Sequence, residues 1–257
     1  MTTVLDRPIR KIYLLNEKGG VGKSTIAFHL AGALAQHGSV VLVDADTQET
    51  AYRYYTAAEH ILEILNEEYE EDLANFEAGQ RKRRPVKPAQ QLPFGAIVFP
   101  HATSSEQIEE QCANFDYMVV DTAARINRDL LNSIMDSDSL VLIPSDTKMS
   151  ELWTTGDLVS AYATKRATVR IVQREGQQAR AYAREELEDA GLTDYMLGGA
   201  ISALNSYDDA VRNGGTVMDV PMTPSDRTLM KARSQITKLA NGAIAVLDSM
   251  EKEAVGG

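Results

Sequence analysis

A mostly parallel, twisted α/β sheet with helices on both faces, doubly wound, is the fold class that this sequence predicts. Three observations carry that reading. Seven short apolar runs recur along the chain, each bounded by turn residues. Helix-period segments lie between them, and each run is nearly continuous in apolar character, as strands buried on both faces require. The first run leads through a glycine-rich turn straight into a helical pattern, the strand-turn-helix order of a parallel unit.

In chain order the predicted strands are Ile12–Leu15, Val40–Val43, Ala96–Phe99, Tyr117–Val120, Leu140–Ile143, Val169–Val172 and Ala200–Ser202. A helix is expected from Lys23 to about Gln36, with Ile26, Leu30, Ala33 and Leu34 on one face and Gly38 as its stop. Between Glu59 and Pro88 the regularity fails. An acidic stretch, Glu63, Glu67, Glu68, Glu70, Glu71 and Asp72, gives way to Arg81-Lys82-Arg83-Arg84-Pro85-Val86-Lys87-Pro88. We read it as a helix followed by an exposed basic loop, either a self-compensating solvated surface or an arm that touches DNA or a partner. Near the end, Thr223-Pro224-Ser225-Asp226 has the form of a helix start, with Thr as N-cap and Pro at the first helical position. Leu229, Ala232, Ile236, Leu239, Ala243, Val246 and Met250 then alternate spacings of three and four, which predicts about six turns with one apolar stripe packed on the sheet.

With 257 residues and 44% hydrophobic content, the chain can bury one large core, so a single domain over residues 1–257 is expected, with a charged insertion around 59–95. The single cysteine, Cys112, excludes a disulfide framework and any multi-cysteine metal or iron–sulfur site within one subunit. Met1 to Arg10 contains charges and a proline, and no apolar run approaches ~18 residues, so a cytoplasmic location is expected. The net charge of −11 opposes DNA binding through the whole surface and requires any such contact to be local.

Residues 16 to 25 read Asn-Glu-Lys-Gly-Gly-Val-Gly-Lys-Ser-Thr. A glycine-rich turn between strand and helix is either a plain connection or a phosphate cradle. Here Gly22-Lys23-Ser24-Thr25, the preceding strand and the following helix agree on the cradle: backbone N–H groups converge on phosphate oxygens, Lys23 reaches the β and γ phosphates, and the Ser24 hydroxyl serves Mg²⁺. The strict pattern asks for Gly where this chain has Glu17, and it adds a second lysine, Lys18. Asp44 and Asp46 lie two apart at a strand end, where two like charges are costly without a cation. Asp121 ends the most apolar strand and reads either as a helix N-cap or as a carboxylate holding Mg²⁺ through water.

Lys18-Gly19-Gly20-Val21-Gly22-Lys23-Ser24-Thr25 resembles the deviant Walker A motif of the ParA/MinD family of P-loop ATPases. Val43-Asp44-Ala45-Asp46-Thr47-Gln48 resembles that family's second acidic motif, and Met118-Val119-Val120-Asp121-Thr122-Ala123-Ala124 its Walker B strand. The resemblance implies a P-loop NTPase fold, ATP and Mg²⁺ as ligands, and ATP hydrolysis to ADP and phosphate. It implies that Lys18 crosses to the nucleotide of a second protomer, giving an ATP-dependent homodimer; without it, Lys18 is an exposed loop lysine. It further implies that Lys23 neutralises the phosphates, Asp46 orients the attacking water, Asp44 supports the metal sphere, and Pro144 and Gln173 stand where relatives enclose the base. Thr47 stands where many relatives have proline.

The resemblance to the ParA branch, which Glu17 fits, implies binding to non-specific DNA and discharge by a centromere-binding (ParB-like) or cargo-adaptor protein, with nucleoid association in the ATP state. Arg227, Lys231, Arg233 and Lys238 are the DNA candidates, and a second basic group comprises Lys165, Arg166, Arg170, Arg174, Arg180 and Arg184. The acidic C-terminal residues, Asp248 to Gly257, do not form the basic amphipathic helix with which the MinD branch binds membrane. No added N-terminal DNA-reading domain is evident, as in short plasmid-type members. The function expected is segregation of a plasmid or chromosomal locus. Two alternatives stand beside it, positioning of a protein cargo and a metabolic P-loop enzyme such as a carboxylate ligase.

Overall fold

The computed structural model describes residues 8–99, 104–126, 128–146, 149–162, 166–175 and 187–256. Seven strands, β1 (Arg10–Leu14), β2 (Val40–Ala45), β3 (Gly95–Val98), β4 (Tyr117–Thr122), β5 (Leu140–Asp146), β6 (Thr168–Glu175) and β7 (Met196–Ser202), form one sheet in the order β3-β2-β4-β1-β5-β6-β7. Every pairing is parallel. All seven predicted strands are present, and the sheet is wholly rather than mostly parallel. The strand order reverses at β1, which has β4 on one side and β5 on the other, so ligand chemistry is expected beyond its carboxyl end.

The helices are α1 (Lys23–Leu34), α2 (Thr50–Glu77), α3 (Ser105–Cys112), α4 (Arg128–Met135), α5 (Met149–Tyr162), α6 (Ser206–Arg212) and α7 (Arg227–Gly256). Strand residues alternate between two cores, as the pleat dictates. Ile12, Leu14, Leu42 and Val119 face Ile26, Leu30, Tyr207 and Ile236 of α1, α6 and α7. Tyr13, Val41, Val43 and Val120 face Ile108, Ile134 and Leu158 of α3, α4 and α5. Cys112 is a buried free thiol in this second core.

Helix α1 is buried almost all round, because α2 and α7 cover the sides that β1 and β4 do not. A methyl group at Gly32 would stand 2.4 Å from Thr216 Oγ1, so the glycine admits the loop before α7 directly onto the helix. In that loop Val217 N–H donates to Nδ1 of His29 at 3.2 Å, and Arg233 of α7 donates to the carbonyls of Val217 (2.7 Å) and Val220 (2.8 Å). Arg233, expected to face DNA, is therefore half-buried and committed to bracing this loop.

The last helix departs from expectation at its start. Thr223 donates from its N–H and its hydroxyl to the carboxylate of Asp226, each at 2.8 Å, and the Asp226 carbonyl accepts the first helical bond from Met230. The Thr-Pro-Ser-Asp segment thus forms a turn of its own, and the helix begins after Asp226. It runs for 30 residues, about 45 Å at 1.5 Å per residue, well beyond six turns. The predicted stripe is right: Ala232, Ile236, Leu239 and Ala243 are buried, with Leu229, Val246 and Met250 packed against the same core. At the far end Arg10, 9% exposed, ties α7 to the start of β1 through Asp248 and Glu251, both at 2.7 Å.

The charged segment is a 28-residue helix, α2, followed by an irregular exposed loop. The loop is fastened at both ends. Arg81 pairs with Asp72, Asn66 Nδ2 donates to Ala89 O at 2.7 Å, and the Leu92 N–H donates to Glu59.

His29 is fully buried, and burial pushes its pKa from 6.5 down to about 3. The unfolded chain takes up the proton first, so stability is lost as pH falls through 6.5 toward 3. Urea unfolding at pH 6.5 and 5.0 is expected to show a loss approaching about 1.4 kcal/mol per pH unit from this group. His29→Gln, which has no titrating ring, removes that part of the slope.

Candidate functional site

The parallel register sets the site. Leu14 pairs with Asp121, and Asp44 pairs with the same residue from the other side, so the ends of β1, β4 and β2 lie level at one edge of the sheet. The glycine-rich turn leaves β1 at that edge and enters α1 at Lys23. Gly20 and Gly22 take φ of 75° and 88°, the left-handed region that glycine tolerates and that turns successive N–H groups inward. No side chain caps the N-terminus of α1, so its N–H groups are directed at the same space.

The two lysines of the turn are placed differently. Lys23 is 7% exposed, its ammonium donating to Asn16 O at 3.2 Å, while Lys18 is exposed. Burial lowers the Lys23 pKa, and Asp121 and Asp46 partly restore it. Asn16, to which no role was assigned from the sequence, organises the turn. Its Nδ2 donates to Pro144 O at 2.8 Å and its Oδ1 accepts the Lys18 N–H at 2.8 Å. Pro144, expected near the base, is buried inside β5, where its carbonyl serves that brace. Gln173 is half-buried at the end of β6.

Asp44 is fully buried, and both of its oxygens are engaged. Oδ1 accepts the Asp46 N–H and Oδ2 the Tyr52 N–H, each at 2.9 Å. Burial raises its pKa and these two donors pull it back. The carboxylate that was expected to support the metal sphere is seen fixing the turn that carries Asp46 and leads into α2. Asp46 is half-exposed and accepts the Gln48 N–H at 3.0 Å.

Asp121 differs from both. It is 0% exposed, neither oxygen has a hydrogen-bond partner among the described residues, and its pKa is pushed up to about 7. Burial is the main cause, and the nearby Ser24 hydroxyl and Lys23 charge offset only part of it. A helix N-cap would be hydrogen-bonded. A buried carboxylate with no backbone donor, beside the Ser24 hydroxyl, fits a hard divalent cation instead. Among the described residues no cluster of three or more His, Cys, Asp or Glu forms a metal cage, so such a cation would take the rest of its oxygens from water and phosphate, the usual habit of Mg²⁺. Thr122, next to it, donates to Leu14 O at 2.6 Å and locks β4 to β1.

A further cation reaches the turn. Arg174, at the end of β6, lays its guanidinium against Gly22. A separate cavity of about 700 Å³ opens at the opposite edge of the sheet, lined by Arg10, Lys11, Glu109, Arg166 and Glu251. It holds none of the motif residues, and the ion pairs along its wall account for its charge.

Residues 9–171, more than half of the chain, match the family model described as an AAA domain. This chain is a P-loop ATPase of the ParA/MinD family. It is 26% identical over 138 residues to the septum site-determining protein MinD of Thermotoga maritima, covering 51% of each chain. It is 51% identical over 49 residues to the chromosome-partitioning ATPase Soj of Thermus thermophilus, covering 19% of this chain and 20% of Soj. The matched stretches thus span about half of MinD or less of these curated relatives. Among solved structures, a plasmid partition protein of Borrelia burgdorferi B31 bound to AMPPNP has TM-score 0.58 at 19% identity, covering 90% of this chain and 98% of that one. An ATP complex of Cyanothece McdA has TM-score 0.56 at 13% identity, covering 93% and 96%. MinD of Pyrococcus horikoshii with Mg-ADP has TM-score 0.53 at 17% identity, covering 90% and 94%. These likenesses show the fold, the P-loop sheet that the motifs implied.

On α7, Arg227, Lys231 and Lys238 are exposed along one face. Of the second basic group, Arg166 pairs with Asp138 at 2.5 Å and Arg170 donates to Val169 O at 2.8 Å, while Lys165, Arg180 and Arg184 lie outside the described residues. No described helix is long and apolar enough to cross a membrane.

Replacing Asp121 with Asn removes a buried carboxylate that lacks donors. At pH 8 without nucleotide the variant is expected to melt several degrees above the parent, about 1–3 kcal/mol more stable. It should also lose the stabilisation that ATP with Mg²⁺ gives the parent. Thermal melts with and without both ligands check the pair of outcomes.

Proposed function

We propose that this chain is a ParA-like positioning ATPase that uses ATP binding to close two protomers and hydrolysis to part them. The observation that carries the reading is the division of labour between the turn's two lysines. Lys23 is buried against its own cradle, and Lys18 stands exposed at the mouth, where it can serve a nucleotide held by a second copy. Asp46, half-exposed on a turn held by Asp44, is suited to orient a water toward the γ-phosphate, and Asp121 with Ser24 would hold Mg²⁺. Mg²⁺, when bound, neutralises charge on the β and γ phosphates.

In this reading the ATP-bound homodimer binds DNA without sequence preference through Arg227, Lys231 and Lys238, in the cytoplasm and on the nucleoid, without a membrane. Arg233, occupied at the loop before α7, contributes by placing that helix. A centromere-binding, ParB-like protein or a cargo adaptor would trigger hydrolysis and release. The likeness to Soj and to a plasmid partition protein supports a plasmid or chromosomal locus as cargo. A 42-residue stretch that is 57% identical to the maintenance of carboxysome distribution protein A of Gloeobacter kilaueensis supports a second reading, a protein assembly as cargo. A carboxylate ligase finds less support, because an exposed lysine in the turn has no role in a closed small-molecule site.

Binding to a random-sequence duplex at low and moderate salt, with ATP, with ADP and without nucleotide, tests this. Binding is expected only with ATP, falling steeply with salt, and lost in Lys18→Ala. ATP-independent binding, or none, overturns the DNA-carrier reading. Asp46→Ala is expected to keep ATP binding and DNA binding while hydrolysis falls at least a hundredfold, as measured by phosphate release.

A further inference from the structure

Arg174 stands, by its place in the sequence, in the second basic group. The fold puts it elsewhere. It ends β6, in register with Asp146 of β5 and Ile201 of β7, and its side chain lies on the face of the sheet that α1 covers. A methyl group on Gly22 would come within 2.4 Å of Nη1 and 2.9 Å of Cζ, so the guanidinium rests on the turn at the very point where α1 begins. It lies near enough to Tyr207 of α6 for the phenol to feel its charge.

From this geometry we infer that Arg174 is a third cation of the phosphate cradle, contacting the end of the polyphosphate that lies away from the metal. The inference rests on the nucleotide-binding reading of the turn and adds a residue to it. The strand order fixes which end. Asp121 and Asp46 approach the cradle from β4 and β2, on one flank of β1, and Arg174 approaches from β6, on the other. Asp121 marks the cation and with it the β and γ phosphates, so the opposite flank serves the inner phosphates of the nucleotide. A guanidinium is suited to that task because it stays charged at any working pH and presents several donors in a plane. Lys23, whose charge burial disfavours, is assisted by a neighbour whose charge is fixed. Gly22 then has two reasons to be glycine, its left-handed φ of 88° and the guanidinium lying on it.

Equilibrium binding of ATP and of ADP to the full chain, for the parent, Arg174→Gln and Arg174→Lys, tests the assignment. Because both nucleotides carry the inner phosphates, Arg174→Gln is expected to weaken ATP and ADP by the same factor, about tenfold or more, the loss of a charge-assisted bond. Arg174→Lys, which keeps the charge, should lose less, and melting without nucleotide should stay unchanged in both. A loss confined to ATP would place the guanidinium on the γ-phosphate and overturn the assignment. Equal losses in Gln and Lys, losses that track a lowered nucleotide-free melting temperature, or no loss at all would reduce Arg174 to packing and overturn it too. A parent that binds neither nucleotide would instead refute the reading of the turn on which the inference stands.

Discussion

The parallel register of β1, β4 and β2 is the constraint on which the rest of the molecule depends. Leu14 and Asp44 both pair with Asp121, so three strand ends stop at one level and deliver the glycine-rich turn and two carboxylates to a single edge. Thr122 secures that level by donating to Leu14 O. Slipping one strand by a residue would turn its apolar set from one core to the other and carry its aspartate away from the turn. The continuous burial of Val40–Val43 and Tyr117–Val120 opposes such a slip, so the packing that stabilises the sheet also aligns the chemistry.

That alignment leaves charges in tension. Asp121 is buried without a donor and Lys23 is buried beside it, and each is disfavoured in its charged form. Asp44 shows what a settled carboxylate looks like at the same depth, with two backbone donors at 2.9 Å. The contrast between two neighbouring aspartates is informative because both are closed to solvent while their hydrogen-bond partners differ. In the proposed reading, an arrangement that keeps an acid and a lysine partly desolvated would be completed by ligands of both signs, a cation on Asp121 and polyphosphate on Lys23. Ligand binding would then relieve a cost that the folded chain carries alone.

Sequence reasoning reached the sheet because runs such as Val40–Val43 and Leu140–Ile143 are apolar on both faces, a signal local to each strand. The three acidic and glycine-rich segments were legible for the same reason, being contiguous. What it misplaced depends on contacts between distant residues. Thr223-Pro224-Ser225-Asp226 satisfies the local rules for a helix start, but the Asp226 carboxylate takes both donors of Thr223 and closes a separate turn. Arg233 reads as one more exposed cation until the carbonyls of Val217 and Val220 are seen against it. Asn16 stands inside the quoted motif, yet its role needs Pro144 from the far side of β1. Arg174 needs the strand order itself, since only with β5 between β6 and β1 does its side chain meet Gly22.

An acidic molecule can meet an acidic polymer only through a local basic surface. The net charge of −11 is not spread evenly along α7. No acid occurs between Arg227 and Lys238, whereas Asp248, Glu251 and Glu253 crowd the other end. Arg10 ties two of those acids down at the opposite edge of the sheet. From Arg227 to Asp248 the helix rises about 32 Å, several times the roughly 8 Å over which physiological salt screens exposed charges. The basic half is thus electrostatically separate from the acidic half of the same helix. A single protomer offers three exposed cations on that face, too few for tight binding through phosphate contacts alone, and pairing two protomers doubles the number. In the proposed ATP-bound pair, this charge distribution would couple DNA affinity to dimer formation without requiring any change of shape within the protomer.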